Sequence, residues 1–183
     1  MKVMREENKW KSLTPMKTSR LLSGATAFGD KIYVAGGRNN QHIPLSSVEV
    51  YDSKLNKWSP LPDMEKKRYD CAIASVNGKV YAVGGRDFIW RLSIGEIFDP
   101  ATNKWTPIPD MKEARYACAA CPMGDKLYVM GGCKYGDCHN GKSLSSVEVF
   151  DTITQKWSSI PNMKTKRHGC VAVSLEKKIY ETC

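Results

Sequence analysis

The run Cys133-x4-Cys138-His139 is the densest cluster of metal- or redox-competent side chains in the sequence. A zinc site there would need a fourth ligand, and the spacing matches no standard zinc pattern. The chain has only three histidines, so no metal is expected. A redox-sensing thiol at Cys133 or Cys138, flanked by Lys134, stays open as an alternative. Catalytic signatures are missing: there is no Gly-x-Ser-x-Gly, and the Gly pairs end apolar runs instead of opening phosphate-binding helices. No enzyme and no cofactor are expected. What remains is recognition chemistry, in segments rich in Arg, Tyr and Trp. Arg38, Asn39, Asn40 and His42 form one such segment, Tyr69 and Asp70 with Arg86, Phe88, Trp90 and Arg91 a second. Tyr116 with Lys134 and Tyr135 forms a third, and His168 is its last counterpart.

These segments sit at fixed places in a repeat. Trp10, Trp58, Trp105 and Trp157 are separated by 48, 47 and 52 residues. Six residues after each Trp stands Met16, Met64, Met111 or Met163, and four later Arg20, Arg68, Arg115 or Arg167. Thirteen residues on comes Tyr33, Tyr81, Tyr128 or Tyr180. Gly36-Gly37, Gly84-Gly85 and Gly131-Gly132 follow the first three tyrosines. From Leu45, Leu92 and Leu144 to the next Trp the interval is again thirteen. All length variation therefore falls between the Gly pair and that Leu, over steps of eight, seven and twelve residues. A rigid scaffold with one elastic loop is the form of a binding module.

Composition narrows the classes. The 183 residues are 42% hydrophobic, enough for a real core, but repeat units bury their faces on neighbours. No apolar run approaches the ~18 residues of a membrane helix, and the N-terminus lacks the apolar core of a secretory signal. Seven cysteines without a leader point to reduced thiols and a cytoplasmic setting. Cys71, Cys118 and Cys170 recur three residues after the repeat Arg, as small buried strand residues would. The net charge is +9, concentrated after each Met in Lys17, Arg20, Lys66, Lys67, Arg68, Lys112, Arg115, Lys164, Lys166 and Arg167. Stacked, these make a basic collar suited to an acidic protein segment. The other reading is a solvated rim with local pairing to Glu65 and Glu113. Nucleic acid is not expected, since no nucleic-acid module accompanies the charge.

Each unit reads as four short strands. Cys71 to Val76, for example, leads through the Asn77-Gly78 turn into Lys79 to Val83, which ends at the Gly pair. Gly95 to Phe98 and a strand starting at Trp105 complete that unit, with Pro109 closing it. No segment has a 3.6-residue apolar period, so the chain is all-β. Four-stranded antiparallel units repeating every ~50 residues are propeller blades. Trp58, Trp105 and Trp157 are expected to fill the wedge between blades.

The pattern of Arg, Tyr-x2-Gly-Gly, Glu-x-Tyr/Phe-Asp and Trp-x5-Met resembles the kelch repeat over essentially the whole chain. The junction from Leu61-Pro-Asp-Met64 to Arg68 further resembles the kelch-like family. The resemblance implies a β-propeller, usually six-bladed, that holds a protein client. In that family a BTB and BACK region binds a cullin-3 ubiquitin ligase scaffold. Cullin-3 would be reached only through those domains, which this sequence does not contain. Actin binding or scaffolding without a ubiquitin role is the family's alternative. The expected architecture is an arc of three complete blades with partial blades at both ends. Residues 1–18 supply the outer strand of a preceding blade; 19–66, 67–113 and 114–165 are kelch repeats, and 166–183 a truncated one. In such a blade the elastic loop opens on the same face as the interblade junction. The recognition segments then converge around one mouth, joined by Leu21, Leu22, Gln41, Asp87, Ile89, Asp137 and His139. Trp90 stands outside the repeat pattern, either to meet a partner or to fold back and anchor its own loop.

Overall fold

The computed structural model describes residues 2–4, 10–136 and 143–182. Asp137, Cys138 and His139 lie outside the described residues, as do residues 5–9 and Cys183. The chain is all-β. Strands β3 (Gly24–Phe28), β4 (Lys31–Ala35), β5 (Val48–Asp52) and β6 (Lys57–Leu61) form the first four-stranded antiparallel sheet, in chain order. Strands β7 (Ala72–Val76), β8 (Lys79–Val83), β9 (Gly95–Asp99) and β10 (Lys104–Ile108) form the second. The third holds β11 (Ala119–Met123), β12 (Lys126–Met130), β13 (Val147–Asp151) and β14 (Lys156–Ile160). Two-stranded sheets flank them, β15 (Val171–Leu175) with β16 (Lys178–Thr182), and β1 (Lys2–Met4) with β2 (Trp10–Ser12). The segment before the first repeat thus supplies two strands, where the sequence suggested one. The repeat Trp marked only β2, and β1 has no repeat residue to announce it.

Alternation along the strands explains the stacking. Ala72, Ala74, Val76, Tyr81 and Val83 lie on one face of the second sheet and share a buried cluster with Leu127, Val129 and Phe150 of the third. The opposite face, with Ile73, Val80, Ala82 and Phe98, packs on Tyr33, Ala35, Val48 and Val50 of the first. Each strand-2 tyrosine meets the next blade's strand-3 phenylalanine, Tyr33 with Phe98 at 6.3 Å and Tyr81 with Phe150 at 6.2 Å between centroids. That phenylalanine leans on its own blade's Trp, at 5.3 Å for Trp105 and 5.1 Å for Trp157. The indole N–H then reaches back to the preceding junction. Trp58 donates to Thr14 O at 2.9 Å, Trp105 to Pro62 O at 3.0 Å and Trp157 to Pro109 O at 2.7 Å. Each ring fills the wedge and ties adjacent blades with its one donor.

The repeat arginines correct the picture of a basic collar. Arg20, Arg68 and Arg115 side chains are fully buried and paired with strand-3 glutamates Glu49, Glu96 and Glu148 at 3.1, 2.6 and 2.8 Å. Arg68 also donates to the carbonyls of Gly84 and Ile94, and Arg115 to those of Gly131 and Ser146. Each glutamate in turn accepts two backbone amides from the junction, as Glu96 does from Glu65 and Lys66. The collar is therefore built of lysines, with Arg167 the one part-exposed repeat arginine. Removing a solvated arginine from water is costly, and it is tolerated here because the terminal guanidinium nitrogens and the facing carboxylate find fixed partners, while each Nε stays buried without an acceptor. In the last unit Arg167 meets Glu181 instead, at 3.0 Å. Glu181 occupies the strand position that Val34, Ala82 and Val129 hold elsewhere.

The Gly pairs stand where consecutive blades touch. A Cβ on Gly36 would lie 2.3 Å from Arg68 O, and on Gly84 2.4 Å from Arg115 O. The second glycine of each pair donates to that same carbonyl, Gly37 to Arg68, Gly85 to Arg115 and Gly132 to Arg167, each at 2.8 Å. All six glycines also have positive φ, so side chains are excluded twice over.

The cysteines divide. Cys71 and Cys118 are free and buried just before their strands, and burial pushes the Cys118 thiol up to about 12. Cys133 and Cys170 are disulfide-bonded, which corrects the expectation of reduced thiols throughout and of a free redox-sensing thiol at Cys133. Cysteine count and leader bear on the compartment, whereas bonding depends on which sulfurs the fold brings together.

Arg68→Ala leaves Glu96 buried without its partner and is expected to cost about 3–5 kcal/mol, measured by urea denaturation. Acid should loosen the same struts. Burial alone would raise the Glu49 carboxyl, but bonds from the Lys17 amide, Arg20 and Thr18 outweigh it and hold it below its ordinary 4.5. Its contribution is thus present above that value and is lost as pH falls through the lowered folded value. Midpoints of urea unfolding should fall below pH 4.5, and less so in Glu49→Gln, which starts less stable.

Candidate functional site

The residue after each repeat Arg pairs with the residue after each Gly pair. Leu21 bridges Arg38, Tyr69 bridges Arg86 and Tyr116 bridges Cys133. This brings the interblade junction and the elastic loop onto one face, around an axial opening lined by Ser23, Cys71, Cys118 and Cys170. One position further, Leu22, Asp70 and Ala117 take positive φ, as Gly169 does. Their backbones form a chain around the axis: Asp70 N donates to Leu22 O, Ala117 N to Asp70 O and Gly169 N to Ala117 O, at 2.8–2.9 Å. Non-glycine residues held in this region are sparsely populated and cluster at ligand-binding mouths. Nothing in the sequence announced this ring.

The aromatic and basic groups form a ladder across the rim. The Arg38 guanidinium lies 5.6 Å from the Tyr69 ring, and Arg86 stands 4.9 Å from Tyr69 and 4.3 Å from Tyr116. Arg86 also binds the Asp70 carboxylate through Nε and NH2 at 2.9 and 2.8 Å. It is a neutralised strut between two phenol rings. Tyr116 is buried, and its hydroxyl donates to Gly136 O. Arg38 differs because Leu22 takes the place of Asp70. Among the described residues the Arg38 side chain has no hydrogen bond or ion pair, and its Nε is buried without an acceptor.

The other predicted residues separate into loop-holding and exposed groups. The Asn39 carbonyl oxygen accepts the amides of Gln41 and Ile43, and Asn40 accepts the Ser19 hydroxyl, so both hold the first loop's shape. His42 is exposed at the loop's tip with φ 62°. In the second loop Asp87 accepts the amides of Ile89 and Trp90, each at 2.7 Å, making a tight turn. Phe88, Ile89 and Trp90 project from it with 67–69% of their surface exposed, and Arg91 is exposed beside them. Trp90 does not fold back onto its blade. Lys134 pairs with Glu113 at 3.3 Å and lies 5.5 Å from the ring of exposed Tyr135. His168 Nδ1 lies 2.9 Å from the Ser143 hydroxyl.

Sequence reasoning placed Arg86 and Tyr116 among groups open to a partner, and the structure engages both internally. It passed over Ile43, which is 39% exposed, because an isoleucine beside a proline looks like core. The charge on this face comes from Arg38, Arg91 and the junction lysines. Among the described residues no group of three or more His, Cys, Asp or Glu is placed to hold a metal ion.

The two rim arginines make opposite predictions for stability. Arg86→Ala removes contacts with two rings and a carboxylate and should cost about 1–2 kcal/mol. Arg38→Ala should cost less than about 1 kcal/mol, because one ring contact is all it loses. Equal losses in urea denaturation would contradict the division into strut and free cation.

No curated protein sequence matches the chain. A solved structure described as "Structure of YjhT" is similar in fold, with a TM-score of 0.81 at 18% identity. That similarity covers 96% of this chain and 63% of the other, so the chain spans under two thirds of its length. The family model described as "KLHDC2/KLHL20/DRC7 Kelch-repeats domain" matches residues 3–182. Three four-stranded blades with the Arg–Glu strut and the crossed Gly pair, together with this match, make the chain a member of that kelch-repeat family.

Proposed function

We propose that the chain is a protein-interaction module whose loop-bearing face holds an acidic segment of a client protein. One observation supports this above the rest: a rim guanidinium without a carboxylate, Arg38, shares a face with a turn that presents Phe88, Ile89 and Trp90 to solvent. Folded proteins seldom leave three adjacent large apolar side chains exposed on a rigid turn without a partner to cover them. Arg and Trp at a concave mouth are the residue types that dominate binding energies. The net charge of +9 favours an acidic partner and speeds its approach.

The finer role follows from the kelch-like resemblance of the junctions. We read the face as the client-recognition end of a cullin-3 ubiquitin ligase adaptor, with the cullin bound through BTB and BACK domains elsewhere. A cytoplasmic site of action fits this reading. Fused behind a BTB-BACK region, the chain should direct ubiquitin transfer to a bound client. Binding without transfer would leave the scaffold role, actin binding included.

The interaction itself is tested with fluorescent peptides, acidic ones carrying an apolar residue and charge-neutral controls. Arg38→Ala and Trp90→Ala should each weaken the acidic peptides' binding by about tenfold or more. Trp90→Ala should unfold within about 0.5 kcal/mol of the parent, as exposed-site substitutions do, and Arg38→Ala within about 1 kcal/mol. Affinities indifferent to both substitutions, or to peptide charge, would refute the assignment of the face.

A further inference from the structure

In the third blade a cavity of about 390 Å³ opens beside Lys112, the start of β13 and the end of β14. The same place in the second blade encloses only about 110 Å³. The repeat makes the cause readable position by position. Ser159 stands where the other blades have Pro60 and Pro107, and Ser146 where the second has Ile94. Asn162 replaces Asp63 and Asp110. In the first two blades that aspartate closes the edge by accepting a serine hydroxyl, Ser46 to Asp63 at 3.0 Å and Ser93 to Asp110 at 3.3 Å. The third blade lacks this latch.

The polar groups left around the opening are donors. Among the described residues the side chains of Lys112, Ser145, Ser159, Asn162 and Lys166 have no hydrogen-bond or ion-pair partner. The two carboxylates nearby are already occupied. Glu148 accepts the Lys112 amide at 2.7 Å and the Arg115 guanidinium at 2.8 Å. Glu113 accepts the Ser146 hydroxyl at 2.6 Å and the Lys134 ammonium at 3.3 Å. Two ammonium groups, two hydroxyls and an amide therefore surround a space from which the repeat's own carboxylate has been removed. Charge-assisted donors of this kind bind oxyanions strongly.

We infer that this cavity is a binding site for a phosphate group, with Lys112 and Lys166 supplying charge and Ser145, Ser159 and Asn162 supplying neutral hydrogen bonds. The phosphate can be free or borne by a phosphorylated serine or threonine of a protein. The site does not rest on the client reading of the mouth. A phosphorylated protein seated there would add a second contact to the same molecule, and multivalent contact raises affinity without altering either site.

The test is an NMR titration of the whole 183-residue chain at constant ionic strength. The probes are inorganic phosphate, a phosphoserine peptide and its unphosphorylated twin. Saturable shifts are expected at Lys112, Ser145, Ser159, Asn162 and Lys166. Asn162→Asp restores the aspartate that two blades of this fold already carry, so it should fold normally and bind phosphate at least about tenfold more weakly. Trp90→Ala should leave phosphate binding unchanged, which separates this site from the mouth. A phosphopeptide binding about tenfold tighter than phosphate assigns the site to a phosphorylated protein, and equal affinities assign it to the free anion. No saturable shift with either phosphate probe, shifts reproduced by chloride, or binding unchanged in folded Asn162→Asp would overturn the proposal.

Discussion

Two arginines whose side chains never reach solvent, Arg68 and Arg115, hold the second and third blades to the ones before them. The carbonyl of Arg68 docks on Gly37 of the first blade, while its side chain reaches into the second, to Gly84 O, Ile94 O and Glu96. One residue thus fixes both sides of an interblade joint. The glutamate opposite is fixed as firmly, since the amides of Glu65 and Lys66 aim at it. Such a pair gives little net stability over an apolar filling, because desolvation offsets most of the attraction. Its value is geometric. The terminal guanidinium nitrogens and the carboxylate meet their partners in one arrangement only, so the blade angle and strand register are set together.

Other repeat residues follow from that joint. The carbonyl crossing requires glycine, since any Cβ at Gly36 or Gly84 would meet it at under 2.5 Å. With the inner strands held so close, Ala72, Ala74 and Ala119 fit where larger residues would not. The space widens outward and is filled by Tyr81, Phe98 and Trp105, whose indole N–H ties down the previous junction at Pro62. Conserving volume along this gradient gives the near-constant spacing from Trp to Tyr.

The fold was legible for a physical reason: residues doing the same packing job recur in the same order. Strands β4, β8 and β12 could be bounded from sequence because Lys opens each and a Gly pair closes it. The hidden parts lacked that periodic mark. β1 has no repeat residue, and the cysteines gave no sign that Cys133 and Cys170 are disulfide-bonded. The repeat arginines were misread as surface charge because a basic residue next to lysines resembles a basic patch. Each has a strand-3 glutamate 29, 28 or 33 residues on, a spacing that varies only by the length of the elastic loop, and that recurrence was the available signal of a buried pair. At the rim, sequence singled out segments that the bridges bring onto one face but could not distinguish Arg38 from Arg86. That distinction depends on Leu22 or Asp70 standing two residues after the buried arginine, on a neighbouring strand.

In a repeat protein the common residues answer to packing, so function is best sought where equivalent positions disagree. Arg86 and Arg38 occupy the same place, yet one has a carboxylate and the other does not. Asp63 and Asp110 latch their blade edges, and Asn162 leaves its edge open. Neither change strengthens the scaffold, because each leaves polar groups without protein partners. Both leave unanswered positive charge on or near the loop-bearing face. A solvated lysine rim would account for net charge, but not for a part-buried guanidinium beside Tyr69 whose side chain has neither hydrogen bond nor ion pair among the described residues. That cost is reasonable where an anionic ligand supplies the missing acceptor.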